Sequence, residues 1–173
     1  MRISFFAAAA ALLAAAPAVA QPRVYSPEEI ASDLAYGFCP LFLAGKFPLN
    51  SPQLAERGFG TKVTTESHPQ LGEMGLVAAT YPGGEIAFGG ASGRMCRVIL
   101  TGPKRDAALK QLKDTMSYTG LPFQPTPNVG EDVPGMTTET FKAPIEGGTL
   151  YVQLIDAREA SNMISAQLFY IAK

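Results

Sequence analysis

The chain has 173 residues, a formal net charge of −1 and 47% hydrophobic residues, with one histidine, two cysteines and no tryptophan. A charge this close to neutral gives no electrostatic footing for nucleic acid or an anionic membrane surface. The absence of tryptophan weakens readings that need large aromatic platforms, and so few histidines and cysteines do not make the spaced ligand sets that zinc takes, so no metal and no cofactor is expected.

The chain opens "MRISFFAAAAALLAAAPAVAQ". Arg2 supplies a positive start, an apolar run follows from Ile3 to Ala16, Pro17 breaks it, and Ala18-Val19-Ala20 fits the small-x-small cleavage pattern. Residues 1–20 therefore read as a secretory signal peptide cut between Ala20 and Gln21. The run is shorter than the roughly 20 apolar residues a membrane span needs, and no cysteine stands at the cut to take a lipid. Removing residues 1–20 takes away one arginine and no acid, which makes the formal charge one unit more negative. Residues 21–173 are expected to form a single α+β domain, periplasmic or secreted, with a core of its own.

An oxidising compartment and an even cysteine count predict a disulfide between Cys39 and Cys96. The alternatives are two buried free thiols, or a reactive thiol at Cys96 between Arg94 and Arg97.

In chain order, Ser26 is placed to cap a helix, Pro27 suits its first position, and Glu29 completes a capping box. Ile30, Leu34, Phe38 and Phe42 follow at helical spacing, with a kink or stop expected near Phe38–Cys39 because of Pro40. "SPQLAERG" predicts a short helix capped by Ser51 and ended by Gly58. Strand-like runs come next at Thr61–Ser67, Gly75–Tyr81, Glu85–Gly89 and Arg94–Thr101.

The stretch "GGASG" (Gly89–Gly93) reads as the hairpin turn before the last of these runs. It lacks the lysine of a phosphate-binding loop and the final glycine of a nucleophile elbow. Alternation puts Cys96, Val98 and Leu100 on one face of that strand and Met95, Arg97 and Ile99 on the other.

Leu109, Leu112 and Met116 mark an amphipathic helix over about Pro103–Tyr118, with the lysines of Lys104–Lys113 on its solvated side. The stretch Leu121–Gly135 reads as a Pro-rich loop whose Glu131 and Asp132 are solvated. Strands at Thr137–Lys142, Gly148–Asp156 and Asn162–Ala172 complete the plan.

Strands in blocks between helices predict an antiparallel sheet with two main helices packed on it. Both Pro82–Leu100 and Glu146–Ile171 read Gly-Gly, strand, turn, strand. A two-half pseudo-repeat is one reading of that echo, and the general likeness of antiparallel hairpins is the other.

His68, in "TTESHPQLG", is expected in an exposed loop. It is the only imidazole available as a general base, and no acid pair or nucleophile motif accompanies it. The order of signal peptide, capped helix with a cysteine, "GRMCRVIL" strand and amphipathic helix resembles small exported proteins of Gram-negative bacteria with no assigned function. The leading functional reading is a disulfide-containing binding or interaction protein with a protein or small-molecule partner in the envelope. The alternatives are a small periplasmic hydrolase using His68, and an inhibitor or immunity-type partner of an exported enzyme that makes contact through Leu121–Gly135.

Overall fold

The structure is a computed structural model that describes residues 24–129 and 133–173, apart from the side chain of residue 160. The predicted signal peptide at residues 1–20, its cleavage point, and Glu131 and Asp132 lie outside the described residues. No helix among the described residues is long and apolar enough to cross a membrane.

The capping box forms as expected. The Ser26 hydroxyl accepts from the Glu29 N–H, and the Glu29 carboxylate accepts from the Ser26 N–H. This starts α1 (Pro27–Asp33). Pro40 does not stop the helix. A π-helical turn, Leu34–Phe38, widens the coil, and the chain continues as α2 (Cys39–Leu43). A proline ring conflicts with the carbonyl one turn back and offers no N–H. The wider turn absorbs this: the Cys39 N–H reaches the Leu34 carbonyl five residues earlier.

The short helix α3 (Pro52–Ala55) is capped by the Ser51 hydroxyl. Arg57 ties the segment after it to α1. Its Nε and Nη2 donate to Asp33 Oδ2 at 3.0 and 2.6 Å, and its guanidinium lies over the Phe38 ring.

Eight strands follow: β1 (Thr64–His68), β2 (Gly72–Tyr81), β3 (Gly84–Ala91), β4 (Met95–Thr101), β5 (Gln124–Thr126), β6 (Thr137–Ile145), β7 (Gly148–Ala157) and β8 (Met163–Ala172). Helix α4 (Arg105–Met116) separates β4 from β5, and the four-residue α5 (Arg158–Ser161) separates β7 from β8. The strands form one open antiparallel sheet in the order β1-β2-β3-β4-β8-β7-β6-β5. The fold is thus mixed α+β, with the sheet as its larger part.

β5 sits inside the stretch read as a loop. It carries Pro125, which an edge strand tolerates because one side of its backbone needs no partner.

One face of the sheet meets the helices. Val77, Phe88, Val98, Ala166 and Leu154 stand in one row across five strands. Ala31, Leu34, Ala35 and Phe42 pack on this face together with Ala108, Leu112 and Met116 of α4. Each large apolar side chain fully buried there contributes about 1.5–3 kcal/mol relative to exposure. The Cys39–Cys96 disulfide joins the start of α2 to β4 inside this core, with Cα atoms 5.4 Å apart and both residues 0% exposed. The Arg97 side chain points to the opposite face, as alternation requires.

The glycine pair expected to begin a turn belongs to β3 instead. Gly89 and Gly90 adopt φ of 150° and 134°, a region L side chains rarely enter. A Cβ on Gly89 would lie 2.0 Å from the Gly75 carbonyl oxygen, and one on Gly90 would lie 2.2 Å from that of Met95. The glycines let neighbouring strands close on this point. The turn itself falls at Ser92–Arg94, where the Arg94 N–H returns to the Ala91 carbonyl at 3.0 Å.

Candidate functional site

Among the described residues no helix packs on the second face of the sheet: the buried apolar residues of α1 to α4 all belong to the core on the other side. Strand register sets two rows of side chains across it. The first is Met95, Phe169, Tyr151 and Lys142. The second is Leu76, then Arg97, Gln167, Gln153 and Thr140, with Gly89 between Leu76 and Arg97. A belt of hydrogen-bonding groups therefore runs beside an apolar and aromatic one. Phe169 and Tyr151 are parallel, with ring centroids 5.2 Å apart. Met74, Ala91 and Met95 form a small buried cluster of their own on this face, flanked by Leu71 and Phe169.

The polar row is only partly spent on internal bonds. Arg97 Nε donates to Ser165 Oγ at 3.4 Å. Burial lowers the pKa of its guanidinium, and the Glu66 carboxylate on the neighbouring hairpin opposes that shift. Gln153 is buried, and its amide nitrogen donates to the Val129 carbonyl at 3.0 Å and to Thr140 Oγ1 at 3.3 Å. The Thr140 hydroxyl in turn donates to Asn128 Oδ1 at 3.0 Å. These bonds hold residues 128–129 against the sheet.

At one end of this face the rows meet a cavity of about 300 Å³. Its lining includes His68, Leu71, Arg94, Gln153, Gln167 and Phe169. His68 is the last residue of β1, half-buried, and not in the loop where the sequence put it. Its Nδ1 accepts from the N–H groups of Gln70 and Leu71 at 3.2 and 3.3 Å, closing the turn into β2. An accepting Nδ1 leaves the ring hydrogen on Nε2, so the imidazole shows the cavity a donor and not a base. No serine, aspartate or glutamate is among the described residues that line it. Among the described residues, the partners a His68-based hydrolase needs are not brought to this cavity.

A larger cleft of about 840 Å³ lies on the helix side, between residues 45–50 and the β1–β2 hairpin. Phe47, Leu49 and Val63 are among its walls, and Lys46 and Glu73 bring opposite charges to it. Among the described residues no group of three or more His, Cys, Asp or Glu stands close enough to hold a metal ion.

Sequence reasoning singled out His68, Cys39 and Cys96. The structure puts the first beside the cavity and joins the other two in the core. It missed Arg94, Gln153 and Gln167. For Gln153 and Gln167 the available signal was polar alternation in two apolar strands, which becomes a row only once register is known, and Arg94 lies in the turn before β4. No family model, curated protein or solved structure matches the chain.

Proposed function

We propose that the chain is an exported binding protein, periplasmic or secreted, that recognises its partner on the helix-free face of the sheet. The observation that carries this reading is the half-spent polar row Arg97–Gln167–Gln153–Thr140 beside an aromatic row, on a face that no helix of the described residues covers. A sheet face that served only as core would place apolar side chains there and cover them. Export is supported by the features of residues 1–20 and by the disulfide. The disulfide removes Cys96 from consideration as a reactive thiol.

The strand order also supports reading the chain as two halves of one plan, helix then four-stranded meander, with the last strands of the two meanders paired. A contact-loop role for Leu121–Gly135 keeps one favouring observation, the exposed Val129 and Val133.

The test is site-specific photo-crosslinking in cells that export the protein. A photoreactive residue replacing Gln167 should capture a partner. The same residue replacing Gln111, on α4, should not. Equal capture from both positions, or capture from Gln111 alone, overturns the reading.

A further inference from the structure

We infer that the 300 Å³ cavity is a carboxylate site for an N-acylated amino acid with an apolar side chain, the chemistry of a peptide's last residue. The inference rests on the helix-free face being the recognition surface and adds the class of ligand.

Size sets the first limit. The cavity stands at the lower end of sites that hold small molecules, so it takes about one residue. Charge sets the second. Among the described residues Arg94 is the one charged residue in the lining, and none of them brings a carboxylate. It spends one donor of its guanidinium, Nη1, on the Leu71 carbonyl at 3.5 Å, which leaves most of the fork open. A planar guanidinium fork pairs best with a planar carboxylate, through two charge-assisted bonds.

His68 adds a second donor of fixed position. The turn holds its Nδ1 as an acceptor, so Nε2–H is what the ring can offer a ligand. Gln153 supplies the complementary group. Its amide nitrogen is occupied by Val129 and Thr140, and its carbonyl oxygen remains to accept from a ligand N–H. Gln167, beside it in the row, makes no side-chain hydrogen bond among the described residues and can serve either need. Leu71, Met95, Val129 and Phe169 form the apolar part of the lining. Carboxylate, amide N–H and an apolar side chain are the three features of an N-acyl amino acid that these groups match.

The experiment is a nuclear magnetic resonance titration of the ¹⁵N-labelled protein with four probes. These are N-acetylleucine, N-acetylleucinamide, an acetylated tetrapeptide ending in leucine, and that peptide's C-terminal amide. The backbone amides of Leu71, Met95 and Gln167 should shift and saturate with the two carboxylates and stay in place with the two amides. Saturation by the peptide alone identifies a chain end as the ligand, and saturation by both carboxylates admits the free compound.

Arg94→Gln should weaken binding about tenfold or more, the usual cost of a charge-assisted contact, and Arg94→Lys should recover part of it. Arg94 lies exposed in a turn, so both variants keep the fold. Equal binding of acid and amide, unchanged affinity in Arg94→Gln, or no shift with any probe overturns the carboxylate assignment. Crosslinks from position 167 would then still stand for the face, and their absence as well would remove both.

Discussion

Breaking the Cys39–Cys96 bond is the perturbation whose size the fold sets most directly. The two cysteines are 57 residues apart in sequence. In the chain-entropy model a closed loop of that length lowers the entropy of the unfolded chain enough to stabilise the native state by about 4 kcal/mol at room temperature. Both residues are fully buried and tie a helix start to a central strand, so the native state gains nothing from their release. Measured bridges scatter around the entropic value, so we expect a loss of about 3–5 kcal/mol. A domain's whole stability is roughly 5–15 kcal/mol.

The assay is urea unfolding of the wild type with and without reductant, which keeps both side chains and removes only the bond. Cys39→Ala/Cys96→Ala serves as a second route. The unfolded chain is freer without the cross-link, so the denaturant slope should rise as the midpoint falls. The native oxidised protein should also resist thiol reagents. A difference below about 1 kcal/mol, or labelling of either cysteine in the native protein, would refute the bond's assigned role.

Tyr36 is partly buried with its hydroxyl donating to the Leu112 carbonyl at 2.9 Å, and desolvation raises its pKa far above the ordinary tyrosine value of about 10. The folded value exceeds the unfolded one, so its contribution is full below about pH 10 and declines above it, by about 1.4 kcal/mol per pH unit. Tyr36→Phe should lose about 1 kcal/mol at neutral pH and flatten that alkaline decline; parallel curves for the two proteins would count against the account. Gly90→Ala should cost more than about 2 kcal/mol, since it sets a Cβ against the Met95 carbonyl in a strained backbone region, and a thermal midpoint unchanged from the wild type would refute it. His68→Ala should lower stability by about 1 kcal/mol through the lost turn bonds. His68→Asn should restore most of that, because its side-chain oxygen can accept from the same N–H groups; equal loss in both would show that the turn bonds are not the cause.

Local chemistry made much of the fold legible. The capping box at Ser26 and Glu29, the short helix at Ser51, the amphipathic helix around Leu112 and the alternation about Cys96 each depend on neighbours within a few residues. What escaped the sequence depends on partners far along the chain. Pro40 reads as a kink or a stop, and a π turn that lets the helix continue leaves no residue-level mark to decide between them. Gly89 and Gly90 read as a turn because glycine suits turns, whereas here it admits the backbones of β2 and β4. Pro125 hides an edge strand. The candidate site was least legible of all, since Arg94, Gln153 and Gln167 come from three separate segments and become neighbours only through the pairing of β8 with β4 and β7.

That pairing has a consequence for the order in which the chain can acquire structure. β4 and β8 meet at the centre of the sheet although about 70 residues separate them, and β8 is the latest strand in chain order. A growing or translocating chain presents residues 24–101 first. That stretch already holds the whole β1–β4 meander and both cysteines. The cross-link can therefore close before any of β5–β8 arrives, leaving the outer edge of β4 unpaired in the meantime. Such an edge invites pairing with another chain. Slow delivery of the later strands should show as intermolecular aggregation of an oxidised half, and fast delivery as monomer.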